Sequence, residues 1–190
     1  MHQYFIDLVS KEVSLSERDV ALCKTCFEPA LFPKNTIVEE EQQVPRYLYF
    51  VVSGFMRLFH YNAAGEEVTT HINCPPGFIT SYFNFTSETR SNENVACITN
   101  CEVLKISKPN LDRMIEESPA FKDFSLQVFQ RSLIYNETRA NELATLTAEA
   151  RYKKLLQNYP SIVQHVPIQY IASFLGMKPE SLSRIRRTMH

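Results

Sequence analysis

Residues 166–187, VPIQYIASFLGMKPESLSRIRR, constrain the geometry of this chain more tightly than any other stretch. Ile168, Ile171, Ala172 and Leu175 recur at i, i+3, i+4 and i+7, which gathers them on one side of a short helix. Gly176 follows where the chain has to turn, and glycine enters the left-handed region without steric cost. Pro179 suits the first position of a second helix, where its missing N–H would have had no partner. In that helix Leu182 and Ile185 face the first one, leaving Glu180, Arg184 and Arg187 in a row on the opposite side, flanked by Ser181 and Ser183. Two short helices around a tight turn have the form of a helix-turn-helix. Arginine's planar fork can pair with guanine O6 and N7, and glutamate can accept from a cytosine amine, so the row suits base edges in a major groove. A plain helical hairpin with a solvated charged face would carry the same apolar seam.

Charge is unevenly spread. The whole chain has a net charge of -1, yet residues 151–190 hold seven basic side chains against the single acid Glu180, a net of +6 that leaves -7 for the first 150 residues. Such a split predicts two modules with different partners, of which only the basic one attracts a phosphate backbone.

At 190 residues and 44% apolar content, the chain can build one substantial core and a smaller second one. No apolar run approaches the roughly 20 residues that cross a bilayer. The N-terminal MHQYFIDLVSKEV carries Asp7 inside its apolar part and has no basic lead-in, so it resembles neither a signal peptide nor an anchor. A cytoplasmic location without a membrane partner is therefore expected. Five unevenly spaced cysteines argue against a disulfide framework and agree with a reducing compartment.

Ahead of the basic end, the hydrophobic period changes twice. Tyr4, Phe5, Leu8 and Val9 predict one side of a first helix, and Ser16 offers an N-cap to a second running towards Phe27. From about Ala30 to Ser107 the chain becomes short β-rich runs, TIVEE, RYLYFVVSG, FMRLFHYN, EEVTTHIN, NVACIT and CEVLKIS, separated by turn residues such as those from Asn62 to Gly65. Many short strands at this spacing predict a sandwich or barrel. Ser118 and Pro119 then open a helix that nothing from Ala120 to Leu146 breaks. Leu126, Phe129, Leu133, Asn136, Ala140 and Leu143 alternate spacings of three and four, the seam of a coiled coil, so two copies are expected to pair along it with Asn136 helping to set register. A second face carrying Phe121, Phe124 and Val128 could lie on the barrel, and both can hold at once. The expected segments are residues 1–117 as a β-roll with N-terminal helices, 118–146 as a dimerisation helix, and 147–190 as the helix-turn-helix unit.

This order of elements, with GMKPESLSRIRR, the LYFVVSGFMRLF strand pair around Gly54, the NAAGEE hairpin and CEVLKISKPNLDRM, resembles the Crp/Fnr family of bacterial transcription regulators over essentially the whole chain. The resemblance implies an α+β fold: a double-stranded β-helix of jelly-roll, cyclic nucleotide-binding-like type, a long dimer helix and a small all-α helix-turn-helix domain. It implies a regulator whose partners are palindromic double-stranded DNA, a second copy of itself, RNA polymerase and a small-molecule effector. Glu180 and Arg184 match base-reading positions, Pro179 replaces a frequent arginine there, and Gln169 matches a phosphate contact; Lys178 adds sequence-independent attraction.

The matching effector positions are Gly77, Phe78, Ile79, Arg90, Ser91, Asn92, Asn136 and Glu137. Members that bind cyclic AMP place a glutamate where Ile79 stands, and an Arg-Ser pair one residue away from Arg90-Ser91. A cyclic nucleotide is thus a candidate ligand whose phosphate-binding residues are not matched, and the sequence makes no cofactor certain. Phe78, Tyr82, Phe83 and Phe85 are expected in the core beneath this segment or, less simply, around an apolar ligand. His60 and His71 read as structural histidines. The spacing of Cys23, Cys26 and either Cys97 or Cys101 could be read as iron–sulfur ligation, but the helix they lie in favours burial as small apolar side chains, and no metal is expected.

No GxSxG, HExxH or GxxxxGK occurs, so an enzyme is not expected. The acid run Glu39, Glu40, Glu41 reads as a solvated turn. An alternative to a regulator is a ligand-binding or interaction module whose C-terminal unit no longer reads DNA. Pro160 to Pro167 leads straight from one helix to the next, without the strands that accompany the reading helices in many relatives.

Overall fold

The computed structural model describes residues 1–188, so the last two positions of the helix-turn-helix segment lie outside the described residues. The architecture is the expected mixture of roll, long helix and terminal helices. Two helices open the chain, α1 (His2–Val9) and α2 (Glu17–Cys26). A reciprocal cap starts α2: the Ser16 hydroxyl accepts from the Asp19 N–H while the Asp19 carboxylate accepts from the Ser16 N–H. α1 buries Phe5, Ile6 and Val9 and leaves Tyr4 exposed, a rotation away from the expected face. The rotation has a visible cause, since it brings the Phe5 ring to 4.7 Å from that of Phe50 and 4.8 Å from that of Phe27.

Eight strands follow: β1 (Glu28–Phe32), β2 (Ile37–Glu39), β3 (Tyr47–Ser53), β4 (Met56–Tyr61), β5 (Glu67–Asn73), β6 (Gly77–Ile79), β7 (Asn94–Cys97) and β8 (Cys101–Ser107), with a short helix α3 (Tyr82–Ser87) between β6 and β7. They form two antiparallel four-stranded sheets, ordered β1-β8-β3-β6 and β2-β7-β4-β5, which leaves β5 at a border of the second. Along β3, Tyr49 and Val51 point into the roll with Met56, Ile79 and Val103, while Leu48, Phe50 and Val52 point out against the helices. Both faces are covered, so β3 reads as one apolar run instead of an alternation. Gly54 after it has φ +87°, and a Cβ there would lie 2.2 Å from the Asn100 carbonyl oxygen.

The acid run is not wholly solvated. Glu39 is only 6% exposed, and its carboxylate accepts from the Tyr49 hydroxyl at 2.7 Å and the Arg46 N–H at 3.3 Å. Burial raises its pKa above the usual carboxylate range, against which these hydrogen bonds work. The aromatic cluster divides: Phe85 is fully buried, Phe78 is half-buried on the core, and Phe83 is 75% exposed.

α4 (Lys108–Glu117) leads into α5 (Pro119–Thr145), a 27-residue helix whose first turn is capped by the Ser118 hydroxyl accepting from the Phe121 N–H. Phe121 and Phe124 on α5 are buried against the roll and Val128 packs beside them, as the second face of the sequence pattern required. Beyond the break at Leu146 lie α6 (Ala148–Asn158), capped by Thr147, α7 (Pro160–His165), α8 (Ile168–Phe174) and α9 (Pro179–Thr188). These four helices form a head whose core is continuous with the roll. Tyr152, Leu155, Ile171, Phe174 and Leu182 are packed in one cluster with Phe55, Ile72 and Ile98.

Candidate nucleic-acid interface and ligand cavity

Gly176, at φ +66°, makes the turn between α8 and α9. A Cβ there would meet Leu143 of α5 at 3.3 Å. Leu182 is fully buried and Ile185 half-buried towards α8, and the outer side of α9 is left to solvent. Lys178, Glu180, Arg184 and Arg187 are exposed, and Ser181 and Ser183 are half-buried at the margins of the row. Gln169 stands exposed in the first turn of α8. The sequence-selected residues are thus all at least partly open to solvent. Arg186, which sequence reasoning left out, joins them: with Ile168, Glu180, Ser183 and Arg187 it lines a shallow hollow. Among the described residues, none of Lys178, Arg184, Arg186 and Arg187 is in an ion pair.

The head is tied to the stalk and the roll by specific contacts. Arg151 donates from Nε to the Leu175 carbonyl at 2.9 Å and from Nη1 to the Leu146 carbonyl at 2.6 Å, joining the turn to the hinge. Arg139 of α5 donates to the Phe174 carbonyl at 2.8 Å and lies 3.7 Å over the Phe174 ring. On the roll side the Ser173 hydroxyl accepts from the Thr69 N–H of β5 at 2.8 Å. Buried Arg57 lies between the rings of Phe59 (4.0 Å) and Tyr170 (3.7 Å), hydrogen-bonded to Thr69 and ion-paired with Glu67.

On α5, Leu126 and Leu133 (61% exposed) stand open to solvent, with Asn136 and Ala140 exposed beside them. Two expected seam residues also touch their own chain, Phe129 against the Tyr82 ring at 4.9 Å and Leu143 against the Gly176 turn. Ile134, 63% exposed, widens the stripe, although it falls off the three-four alternation.

A cavity of about 980 Å³ lies between the roll, α5 and the head. Of the matched effector positions, Gly77, Phe78, Ile79 and Asn136 line it, and Arg90, Ser91, Asn92 and Glu137 do not. Arg90 and Glu137 are exposed elsewhere. Ser91 is consumed by a local turn, its hydroxyl accepting from the Glu93 N–H at 2.9 Å and its backbone bonding Gln42 and Gln43. Asn92 is exposed and accepts from the Gln42 side chain. Thr70, Ser81 and Glu93 line the wall in their place, residues that no motif had marked. At the other end His71 packs edge-on to Tyr135 at 5.5 Å; burial, assisted by the nearby Arg139 charge, pushes its pKa down to about 4, so the ring is neutral near pH 7. His60 on β4 is half-buried.

Cys23, Cys26, Cys97 and Cys101 are buried, and burial pushes the Cys23 thiol up to about 12. No group of three or more metal-ligating side chains occurs among the described residues.

Residues 30–118 match the family described as the cyclic nucleotide-binding domain. No curated protein matches the chain in sequence. The fold is similar to that of FixK2 from Bradyrhizobium japonicum, at 16% identity and a TM-score of 0.74 over 86% of this chain and 84% of that one. It is also similar to CLP of Xanthomonas campestris, described as a c-di-GMP responsive global regulator, at 18% identity and a TM-score of 0.70 over 92% and 91% of the two chains. A CooA mutant from Carboxydothermus hydrogenoformans gives 16% identity and a TM-score of 0.68 over 95% and 81%. No helix among the described residues is long and apolar enough to cross a membrane. Residues 30–118, just under half of the chain, thus match the cyclic nucleotide-binding domain family, and the chain as a whole has the fold seen in FixK2 and CLP.

Proposed function

We propose that this protein is a homodimeric, cytoplasmic transcription regulator that pairs along α5, reads a palindromic duplex with α9 and responds to a small molecule held by the roll. The observation that carries this reading is the outer face of α9, where Lys178, Glu180, Arg184 and Arg187 are exposed while Leu182 anchors the helix from behind. Glu180 and Arg184 read base edges; Lys178, Arg187, Gln169 and the two serines hold the phosphates and flanks. The open stripe of Leu126, Leu133 and Ile134 supports pairing, which sets two reading helices about a two-fold axis. In this reading residues 1–117 sense, 118–146 pair, 147–190 bind DNA, and RNA polymerase is the further partner.

Fluorescence anisotropy on a duplex library, repeated across a salt series, tests it. Sequence-selective binding that weakens steeply with salt is expected. A second reading, a ligand-binding module with a silent head, is favoured by one observation, the docking of α8 on the roll, with Ser173 bonded to Thr69 of β5 and Tyr170 stacked on Arg57 of β4. Ligand binding without any DNA binding would select it.

A further inference from the structure

The cavity wall contributed by the roll is negative where a cyclic phosphate would require the opposite sign. Glu93 lines it, held by the Thr70 hydroxyl on Oε1. The Ser81 hydroxyl lies 3.4 Å from Oε2 but 2.9 Å from Oδ1 of Asn84, and it has a single proton to give. One carboxylate oxygen is therefore left with spare accepting capacity. Among the described residues no ion pair reaches Glu93. Among the lining side chains Arg131 is the one arginine or lysine, and Glu12 engages it at 2.7 Å; the other basic one, His71, packs on Tyr135. Asn73 supplies an independent sign of a missing partner: it lines the same cavity, is 4% exposed, and its Nδ2 has no hydrogen-bond partner. The remaining wall is largely apolar, with Phe78 and Ile79 from the roll, Phe124 and Val128 from α5, and Leu155 and Phe174 from the head.

We propose that this cavity takes a small, largely apolar molecule carrying a protonated amine seated on Glu93, with an acceptor for the Asn73 amide, and that it rejects anionic cyclic nucleotides. The inference rests on the reading of the roll as an effector-binding unit and specifies its ligand. A cationic head completes the carboxylate's shell, whereas a phosphate diester would face a like charge without a compensating cation. The apolar body bridges roll, stalk and head together, so occupancy acts directly on the head's position.

Calorimetric melting of the full-length protein with tryptamine, indole-3-propionate, 3-methylindole and cyclic AMP tests the proposal without any DNA. Tryptamine is expected to raise the melting temperature in a concentration-dependent way and to bind about tenfold or more tightly than the propionate of similar shape. Glu93→Gln keeps an acceptor for Thr70 and should erase that discrimination while leaving 3-methylindole binding unchanged. Stabilisation by cyclic AMP, equal effects of the amine and the acid, or no response to tryptamine would each overturn the assignment. The ligand comparison is made on the unaltered chain, so it stands even if Glu93→Gln does not fold. Absence of DNA binding in the anisotropy experiment would sink the regulator reading and leave these melting outcomes intact.

Discussion

Burial shifts His71 and Glu39 in opposite directions, the imidazole downward and the carboxyl upward. Burial and the Arg139 charge lower the His71 pKa to about 4, so its folded pKa lies below its unfolded one of 6.5. The stability it contributes is complete above pH 6.5 and is lost as pH falls towards 4. Urea midpoints measured between those limits should decline in the native chain and decline less in His71→Gln. Glu39 has the opposite sign: its raised folded pKa makes its contribution complete below the ordinary carboxylate range, and that contribution is lost as pH rises through the folded value. Glu39→Gln should therefore gain stability relative to the native chain at pH 8 compared with pH 4, by urea denaturation at both. On α9, Arg184→Ala should cost about 1 to 3 kcal/mol at a single base position, while Lys178→Ala should weaken all sequences alike, read by anisotropy on single-substitution duplexes. The exposure of Glu180, Arg184 and Arg187 on α9 was legible in the sequence because helical spacing alone sets them opposite Leu182 and Ile185. Glu39 was not, because its partner Tyr49 reaches it only after β3 turns that side chain inward. Glu93 was missed for a related reason: a lone acid in an irregular segment has no periodicity to assign it a wall.

At the level of elements, the proposed pairing of two copies rests on α5. Leu133→Glu puts a charge in the middle of an exposed apolar stripe and touches nothing in the core, so sedimentation equilibrium should shift from dimer to folded monomer. Ser118→Ala removes the hydroxyl cap of the Phe121 N–H and should cost about 1 kcal/mol, measured by urea denaturation. The bounds of α5 were legible because Ser118 and Pro119 mark its start without ambiguity. β1, β6 and α3 were not: β1 carries Pro29, β6 has three residues, and α3 is a single turn and a half fixed by the burial of Phe85. Short elements of this kind are decided by tertiary packing instead of local pattern. The rotation of α1 belongs with them, since only the assembled cluster of phenyl rings chooses Phe5 over Tyr4.

For the molecule as a whole, charge partition separated the basic end from the acidic remainder, yet the two share a core. The coupling runs through Arg57, Tyr170, Ser173 and Thr69, none of which stands out in sequence, because an arginine in a strand and a tyrosine in a short helix have no local reason to meet. Tyr170→Ala should loosen this union and raise hydrogen exchange at the Thr69 amide by about tenfold or more. An unchanged rate would show that the Ser173 bond holds without the ring. β5 lies at a border of its sheet, and the Ser173 hydroxyl serves both its Thr69 N–H and, at 3.4 Å, its Glu67 carbonyl. A swing of the head away from the roll would strip that border of its α8 cover and leave ladder groups ready to recruit a foreign strand. Any form of the protein with its head released and no duplex to occupy it should consequently be the stickier one, prone to strand-to-strand clumping that the docked form resists.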